Sequence, residues 1–261
     1  MPRFAANLSM MFQEVPFLDR FEAAARAGFT AVEYLFPYEW EPRVLAQKLR
    51  EYGLIQALFN LPAGDFAAGE RGLAALPGRE AEFLAGLERA LAYAEALGNT
   101  RIHAMAGLVP EELDPVALEP IYKENIARAA ARAAERGLTL LIGPINHRSM
   151  PGYLLRTQGR AARIIVEIGA ANLKLQFDCF HCQMEEGAVS LPLREHFPIT
   201  GHYQIAGVRE RHEPDMGELN YAYFFRLMDD LGYDGFAGCG YIPAGDTAAG
   251  LAWMRTLTRG A

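Results

Sequence analysis

Strand-like and helix-like segments take turns eight times along these 261 residues, and that alternation constrains the fold more than any single residue does. RFAANLS precedes PFLDRFEAAARAG, which puts Phe17, Phe21 and Ala24 on one helical face and stops at Gly28. AVEYLF precedes EPRVLAQKLREYG, and LIQALFN leads through a long loop to REAEFLAGLERALAYAEALG. RIHAMAG is followed by PVALEPIYKENIARAAARAAERG, and LTLLIGP by TQGRAARIIVEIG. LKLQFDCFH precedes a polar stretch with a short helix around LPLREHF, ITGHYQIAG precedes YAYFFRLMDDLG, and DGFAGCGYIP precedes a final helix through TAAGLAWMRTL. Near-continuous apolar strands between helices belong to a parallel sheet covered by those helices. Eight such units predict closure into a (β/α)8 barrel, a single domain over residues 1–261. An open doubly wound sheet is the other fold that such alternation permits, but no GxGxxG follows the first strand to support it.

Hydrophobic residues make up 51% of the chain, enough for a closed core, and no Ser/Gly/Pro-rich linker divides it. A net charge of −7 disfavours a nucleic-acid partner and suits a small-molecule protein. The start, MPRFAANLSMMFQEVPF, lacks a basic segment followed by a long apolar one, and nowhere do 18 uncharged apolar residues run together. The expectation is therefore a cytoplasmic protein with no membrane partner, and a possible homo-oligomer. Three cysteines are an odd set for a disulfide framework. The Cys179-Phe-His-Cys182 spacing has no second pair to complete a metal site, so it reads as strand-end thiols.

Active sites of such barrels are built where the strands end. Here the strand ends offer Asn7, Glu33, Asn60, His103, Asn146, Asp178 with His181, and Gln204 with His202. Two of them carry glycine where the chemistry would call for a carboxylate: Gly143 in LTLLIGPINHRSMPGY and Gly240 in DGFAGCGYIPAG. Asp178 and Gln204 bring oxygen donors suited to a hard divalent ion such as Mg2+ or Mn2+. Two ligands alone make a poor site, because these ions take about six oxygen donors.

At these residues the sequence resembles the hydroxypyruvate isomerase family, within the xylose-isomerase-like TIM barrels. The likeness runs end to end through RFAANLSMMF, VEYLFPY, FNLPAGDFAAGERGLAALPGREAEF, PINHRSMPGY, LQFDCFHCQMEEG, HYQIAGVRERHEPDMGELNY and GFAGCGY. In that family the fifth-strand segment usually reads EPIN and the eighth CEY, so the chain departs from the pattern at Gly143 and Gly240. The resemblance implies that those two positions normally hold glutamates that serve both as proton-transfer pair and as metal ligands. It further implies that Asp178 and Gln204 complete the metal shell, and that His181 and Arg211 hold the substrate's oxygens. An acidic residue often occupies the position of Ser149 in that family, so the chain departs from the pattern there as well.

The reaction implied is the interconversion of hydroxypyruvate and tartronate semialdehyde through an enediolate, in which a divalent ion stabilises negative charge and two carboxylates move the proton. Glycine has nothing to titrate. General acid–base groups contribute roughly two to four powers of ten each, so the chain is expected to be a catalytically crippled isomerase. The other site residues keep the family pattern, which favours a targeted double change over general decay. Two alternatives are a ketose 3-epimerase, related in fold and paired glutamates, and a non-catalytic protein that retains a sugar-acid pocket. The zinc endonuclease relative of this fold would need a basic face and more histidine ligands.

Several of these residues have plainer readings. Asp178 follows an apolar strand and is able to cap the next turn. Gln204 is able to sit as a satisfied buried amide. Asn7 and His103 suit structural hydrogen bonds as well as ligand contact. Glu213, Asp215 and Glu218 in RHEPDMGE read as a solvated loop, and the two glycines suit close backbone approach. The Leu61–Arg79 loop, rich in Gly and Ala and carrying Arg71 and Arg79, reads as a lid over the strand ends or as a packing loop.

Overall fold

A computed structural model describes residues 2–257 and contains the barrel that the alternation predicts. Its strands are β1 (Arg3–Asn7), β2 (Ala31–Glu33), β3 (Ile55–Asn60), β4 (Arg101–His103), β5 (Thr139–Ile142), β6 (Leu173–Asp178), β7 (Thr200–Ile205) and β8 (Phe236–Cys239). Each pairs in parallel with its neighbour in sequence, and β8 closes on β1. Outside them, among the described residues, lie α1 (Arg20–Arg26), α2 (Pro42–Glu51), α3 (Glu80–Leu97), α4 (Pro115–Ala134), α5 (Gln158–Ile168), α6 (Cys179–Glu185), α7 (Ser190–Glu195), α8 (Tyr221–Asp230), α9 (Thr247–Gly250) and α10 (Trp253–Thr256).

Local chemistry sets the helix ends. Pro115 opens α4, where a missing N–H costs nothing, and Asp114 Oδ1 accepts from the Val116 amide at 2.8 Å. Gly98 ends α3 in the left-handed region at φ 64°. No helix of the described residues is long and apolar enough to cross a membrane.

Strand parity sorts the barrel interior from the shell between sheet and helices. Ala5, Ala31, Ala57 and Phe236 form a small apolar plug. On β1, β2 and β8, the residues two further along the same face are Asn7, Glu33 and Gly238, and Gly240 follows just past the end of β8. The pairing register sets polar residues side by side at this end: Asn7 with Glu33, Asn60 with His103, Asp178 with Gln204, and Gln204 with Gly238. The outer shell is the main core, in which Trp253 is fully buried edge-on to Phe4 with ring centroids 5.0 Å apart.

Three expectations are corrected. Cys179 and Cys182 lie on α6, not on a strand, because Asp178 ends β6 and caps the helix at once. Burial is the main cause raising both thiols above the ordinary cysteine range, so they are unreactive packing residues. The final helix is broken into α9 and α10 by Leu251 and Ala252. Glu213 is buried rather than solvated: its carboxylate accepts from the Ala244 amide at 3.2 and 3.3 Å, whereas Asp215 and Glu218 are exposed as expected.

Candidate active site

A cavity of about 210 Å³ opens at the strand ends, and its walls include Asn7, Glu33, His103, Gly143, Gln176, Asp178, His181, Gln204 and Arg211. Most of the residues expected at the mouth are therefore gathered around one space, while Asn146 and His202 stand behind its wall, bonded to His181 and Glu33. Gly240 adjoins it: a Cβ built there would lie 3.7 Å from Gln204 Cβ and 3.9 Å from an Arg211 guanidinium nitrogen.

Asp178 does two things at once. Its Oδ1 accepts from the amides of Phe180 (2.8 Å) and His181 (3.3 Å), the capping role that its position after an apolar strand permits. Its Oδ2 faces Arg211 Nη2 at 3.5 Å and His181 Nε2 at 3.6 Å. The capping bonds orient the carboxylate, so both readings of Asp178 describe the same side chain.

His181 is held from behind by Asn146, whose Nδ2 donates to His181 Nδ1 at 2.6 Å. Nδ1 is thereby the acceptor, and the ring proton sits on Nε2, towards Asp178. Burial, with Arg211 adding to it, outweighs the pull of Asp178 and brings His181 down to about 4, so the ring is neutral at physiological pH. His103 is likewise neutral, lowered to about 3 chiefly by burial and also by nearby His202. Its Nδ1 faces Asn60 Oδ1 at 3.1 Å, and an amide oxygen only accepts, so the proton is on Nδ1; buried Nε2 has no partner.

Arg211 adopts φ 62°, uncommon for a side-chain-bearing residue, and it is among the residues that line the cavity. Its Nε donates to the Gly240 carbonyl at 2.9 Å, and the group stacks on the Phe180 ring at 4.9 Å. Gln204 donates Nε2 to Glu33 at 2.7 Å and accepts at Oε1 from Gln176 Nε2 at 2.9 Å. Sequence reasoning named Glu33 as a strand end without giving it a role, and it passed over Gln176. The signal for Gln176 was available: it precedes Asp178 by two on β6 and so shares its face.

Neither Gly143 nor Gly240 needs glycine for its own backbone conformation. Both lie outside the left-handed region, and a Cβ at Gly240 makes only ordinary contacts. A Cβ at Gly143 is tighter, 3.1 Å from His103 Nε2 and 3.3 Å from Gln176 Cβ and O, so those neighbours must give by a few tenths of an ångström. Gly238 is the contrast, since a Cβ there would overlap the Glu33 carboxylate. The close-approach reading made for the two glycines thus fails for Gly240, while at Gly143 the Gln176 carbonyl does stand close.

The donors present do not fit a resident Mg2+ or Mn2+. Asp178 is the one carboxylate not wholly engaged elsewhere on this wall, and its outer oxygen faces a guanidinium; the Gln204 amide oxygen is taken by Gln176. Among the described residues, no group of three or more His, Cys, Asp or Glu is gathered to hold an ion.

The comparisons agree with this architecture. The family model described as Xylose isomerase-like TIM barrel matches residues 21–257. The 2-oxo-tetronate isomerase of Cupriavidus necator is 59% identical over 255 residues, covering 98% of each chain, and the hydroxypyruvate isomerase of Escherichia coli K12 is 43% identical over 254 residues, covering 97% of this chain and 98% of its own. A crystal structure named AP endonuclease, family 2, from Brucella melitensis superposes with a TM-score of 0.96 at 47% identity, covering 98% and 99%. L-Ribulose 3-epimerase, at 22% identity and TM-score 0.76, shares the fold. The chain belongs to the xylose isomerase-like TIM barrel family, alongside relatives named as isomerases of hydroxypyruvate and of 2-oxo-tetronate.

Proposed function

We propose that this chain is an isomerase scaffold for short hydroxylated 2-oxo acids, hydroxypyruvate or its four-carbon analogue, that has lost its proton-transfer groups and retains the pocket. The observation that carries the reading is the pair Gly143 and Gly240. Gly143 lines the cavity and Gly240 adjoins it, both on ordinary backbone at positions where the family resemblance puts glutamate, and a Cβ at Gly240 meets only ordinary contacts.

The reaction removes a proton from the hydroxymethyl carbon of hydroxypyruvate, returns one to the neighbouring carbonyl carbon, and moves the hydroxyl proton across to the former carbonyl oxygen. Each transfer needs a titratable group beside the substrate. The groups that remain are poorly suited. His181 is neutral and its bare nitrogen is spent on Asn146, His103 keeps its lone pair buried, and Glu33 is enclosed by three donors. Asp178 is tied at Oδ1 and faces Arg211 at Oδ2. Binding survives better than turnover, because the Arg211 fork suits a carboxylate and is in place.

Relatives with substantial identity support acids over free sugars; the ketose epimerases share the fold alone, at about a fifth identity. A net charge of −7 argues against a nucleic-acid substrate. The test is a substrate panel on the Gly143→Glu/Gly240→Glu protein: hydroxypyruvate, a four-carbon hydroxylated 2-oxo acid, and five- and six-carbon ketoses. Conversion of an acid supports the reading, whereas epimerisation of ketoses with the acids untouched contradicts it.

A further inference from the structure

We infer that the pocket of this chain takes an amphipathic 2-oxo acid, its head held at Arg211 and an apolar substituent laid against the loops that follow β1 to β5. The inference rests on the functional reading above for the acid head and goes beyond it in the tail.

Strand order divides the cavity wall. Asp178, His181, Gln204 and Arg211 come from β6, β7 and the segments that follow them. The loops after β1 to β5 bring Met10, Leu35, Phe66, Met105, Ile145 and Met150 to the same space. Phe66 is 36% exposed, and all the others except buried Met105 are half-buried, so this apolar wall is partly wet and an apolar ligand group would dry it. Three of the six are methionines, whose unbranched side chains adapt to the shape laid against them.

The polar part of the wall is short of acceptors and has donors to spare. Gln204 Oε1 accepts from Gln176, His181 Nδ1 from Asn146, Asp178 Oδ1 from two amides, and Glu33 from three side chains. His103 Nε2 and Gln176 Oε1 have no partner, but both atoms are buried. The His181 Nε2–H, by contrast, lies 3.6 Å from Asp178 Oδ2, beyond hydrogen-bond reach, and Arg211 Nη2 is at the limit of it at 3.5 Å. A 2-oxo acid head carries acceptors alone and suits those donors. A ligand hydroxyl brings a donor that finds few takers here, and a desolvated donor left unpaired weakens binding. An alkyl group has no donor to satisfy and covers the methionine-rich side.

Hydroxypyruvate and 2-oxobutanoate differ only by a hydroxyl in place of a methyl group, so the pair separates hydroxyl recognition from apolar burial. The experiment is calorimetry on the chain as it stands with hydroxypyruvate, 2-oxobutanoate, 2-oxopentanoate and 2-oxohexanoate. The expected result is that 2-oxobutanoate binds at least as tightly as hydroxypyruvate, and that the dissociation constant falls by roughly two- to fourfold with each added methylene. Phe66→Ala and Met105→Ala are each expected to flatten that trend, and Arg211→Ala to weaken every acid in the series. If hydroxypyruvate binds but 2-oxobutanoate binds more weakly, or the dissociation constant stays level or rises along the series, the inference is overturned and the functional reading stands. Binding of 2-oxohexanoate that Arg211→Ala leaves unmoved is adsorption outside the pocket and overturns the inference as well. Binding of the alkyl acids without hydroxypyruvate upholds the inference against the functional reading, and binding of none of the four overturns both.

Discussion

Arg211 donates its Nε–H to the Gly240 carbonyl at 2.9 Å, so a guanidinium is fixed beside a position where the family resemblance puts glutamate. The same group faces Asp178 Oδ2 at 3.5 Å and stacks on Phe180. Binding in this pocket is therefore expected to depend on Arg211 even where turnover is absent. Hydrogen bonds to charged groups contribute about 1.5–3 kcal/mol, so Arg211→Ala is expected to weaken hydroxypyruvate binding by roughly 10–100-fold in calorimetry. Arg211→Lys should recover little, because an ammonium lacks the planar fork. An unchanged dissociation constant in Arg211→Ala would remove Arg211 from the pocket's chemistry.

Three glycines at the strand ends differ in what a side chain would cost. Gly240→Ala meets only ordinary contacts and is expected to leave the melting temperature within a few degrees of the parent. Gly143→Ala presses on His103 and Gln176 and should cost somewhat more. Gly238→Ala forces Glu33 from its three donors, and overpacking of this kind costs about 1–3 kcal/mol, with the lost bonds added. Calorimetric melting of the three variants checks the order; Gly240→Ala as the most damaging would contradict the geometry.

Legibility followed the kind of signal. The eight-fold alternation is a repeating pattern of apolar runs and helical faces, so barrel closure could be read from residues alone, and closure then located Asn7, His103, Asp178, His181 and Gln204 around one cavity. What periodicity does not encode is the partner of each polar group. Glu33 and His202 are 169 positions apart and meet only because β2 and β7 face each other across the interior. The burial of Glu213 depends on Ala244 and on a glycine at position 250 that leaves space for its carboxylate, again distant in sequence. The strand-to-helix switch at Asp178 was missed for a local reason: FDCFH is apolar enough to extend a strand, and only the capping bonds end it.

Acid should weaken the fold through its buried histidines. His181 and His103 are lowered to about 4 and about 3 from an ordinary value near 6.5, so between those values the unfolded chain binds protons that the folded one refuses. Stability is therefore full above about pH 6.5 and declines as pH falls towards 4. The urea midpoint is expected to drop steadily over that window and to flatten after both histidines are replaced by glutamine. A midpoint independent of pH from 7 to 4 would contradict the burial assigned to them.

The Leu61–Arg79 loop supplies a further test. Phe66 from its tip reaches the cavity wall, packs on Phe36 at 4.9 Å and lies under Arg71 at 3.9 Å, while Leu73, Ala74 and Ala75 anchor the base. A tip that reaches the cavity from a buried base suits a lid. Hydroxypyruvate is expected to slow proteolytic nicking at Arg71, and equal cleavage with and without the acid would leave the segment a packing loop.

The central claim is that the scaffold is an isomerase and that its two glycines silence it. The direct measurement is hydroxypyruvate isomerisation by the Gly143→Glu/Gly240→Glu protein with added Mg2+ or Mn2+, beside the parent chain under the same conditions. With roughly two to four powers of ten from each acid–base group, the account predicts a gain of at least about a thousandfold in kcat/KM. A restored protein that folds, binds the acid and turns it over no faster than the parent would contradict it.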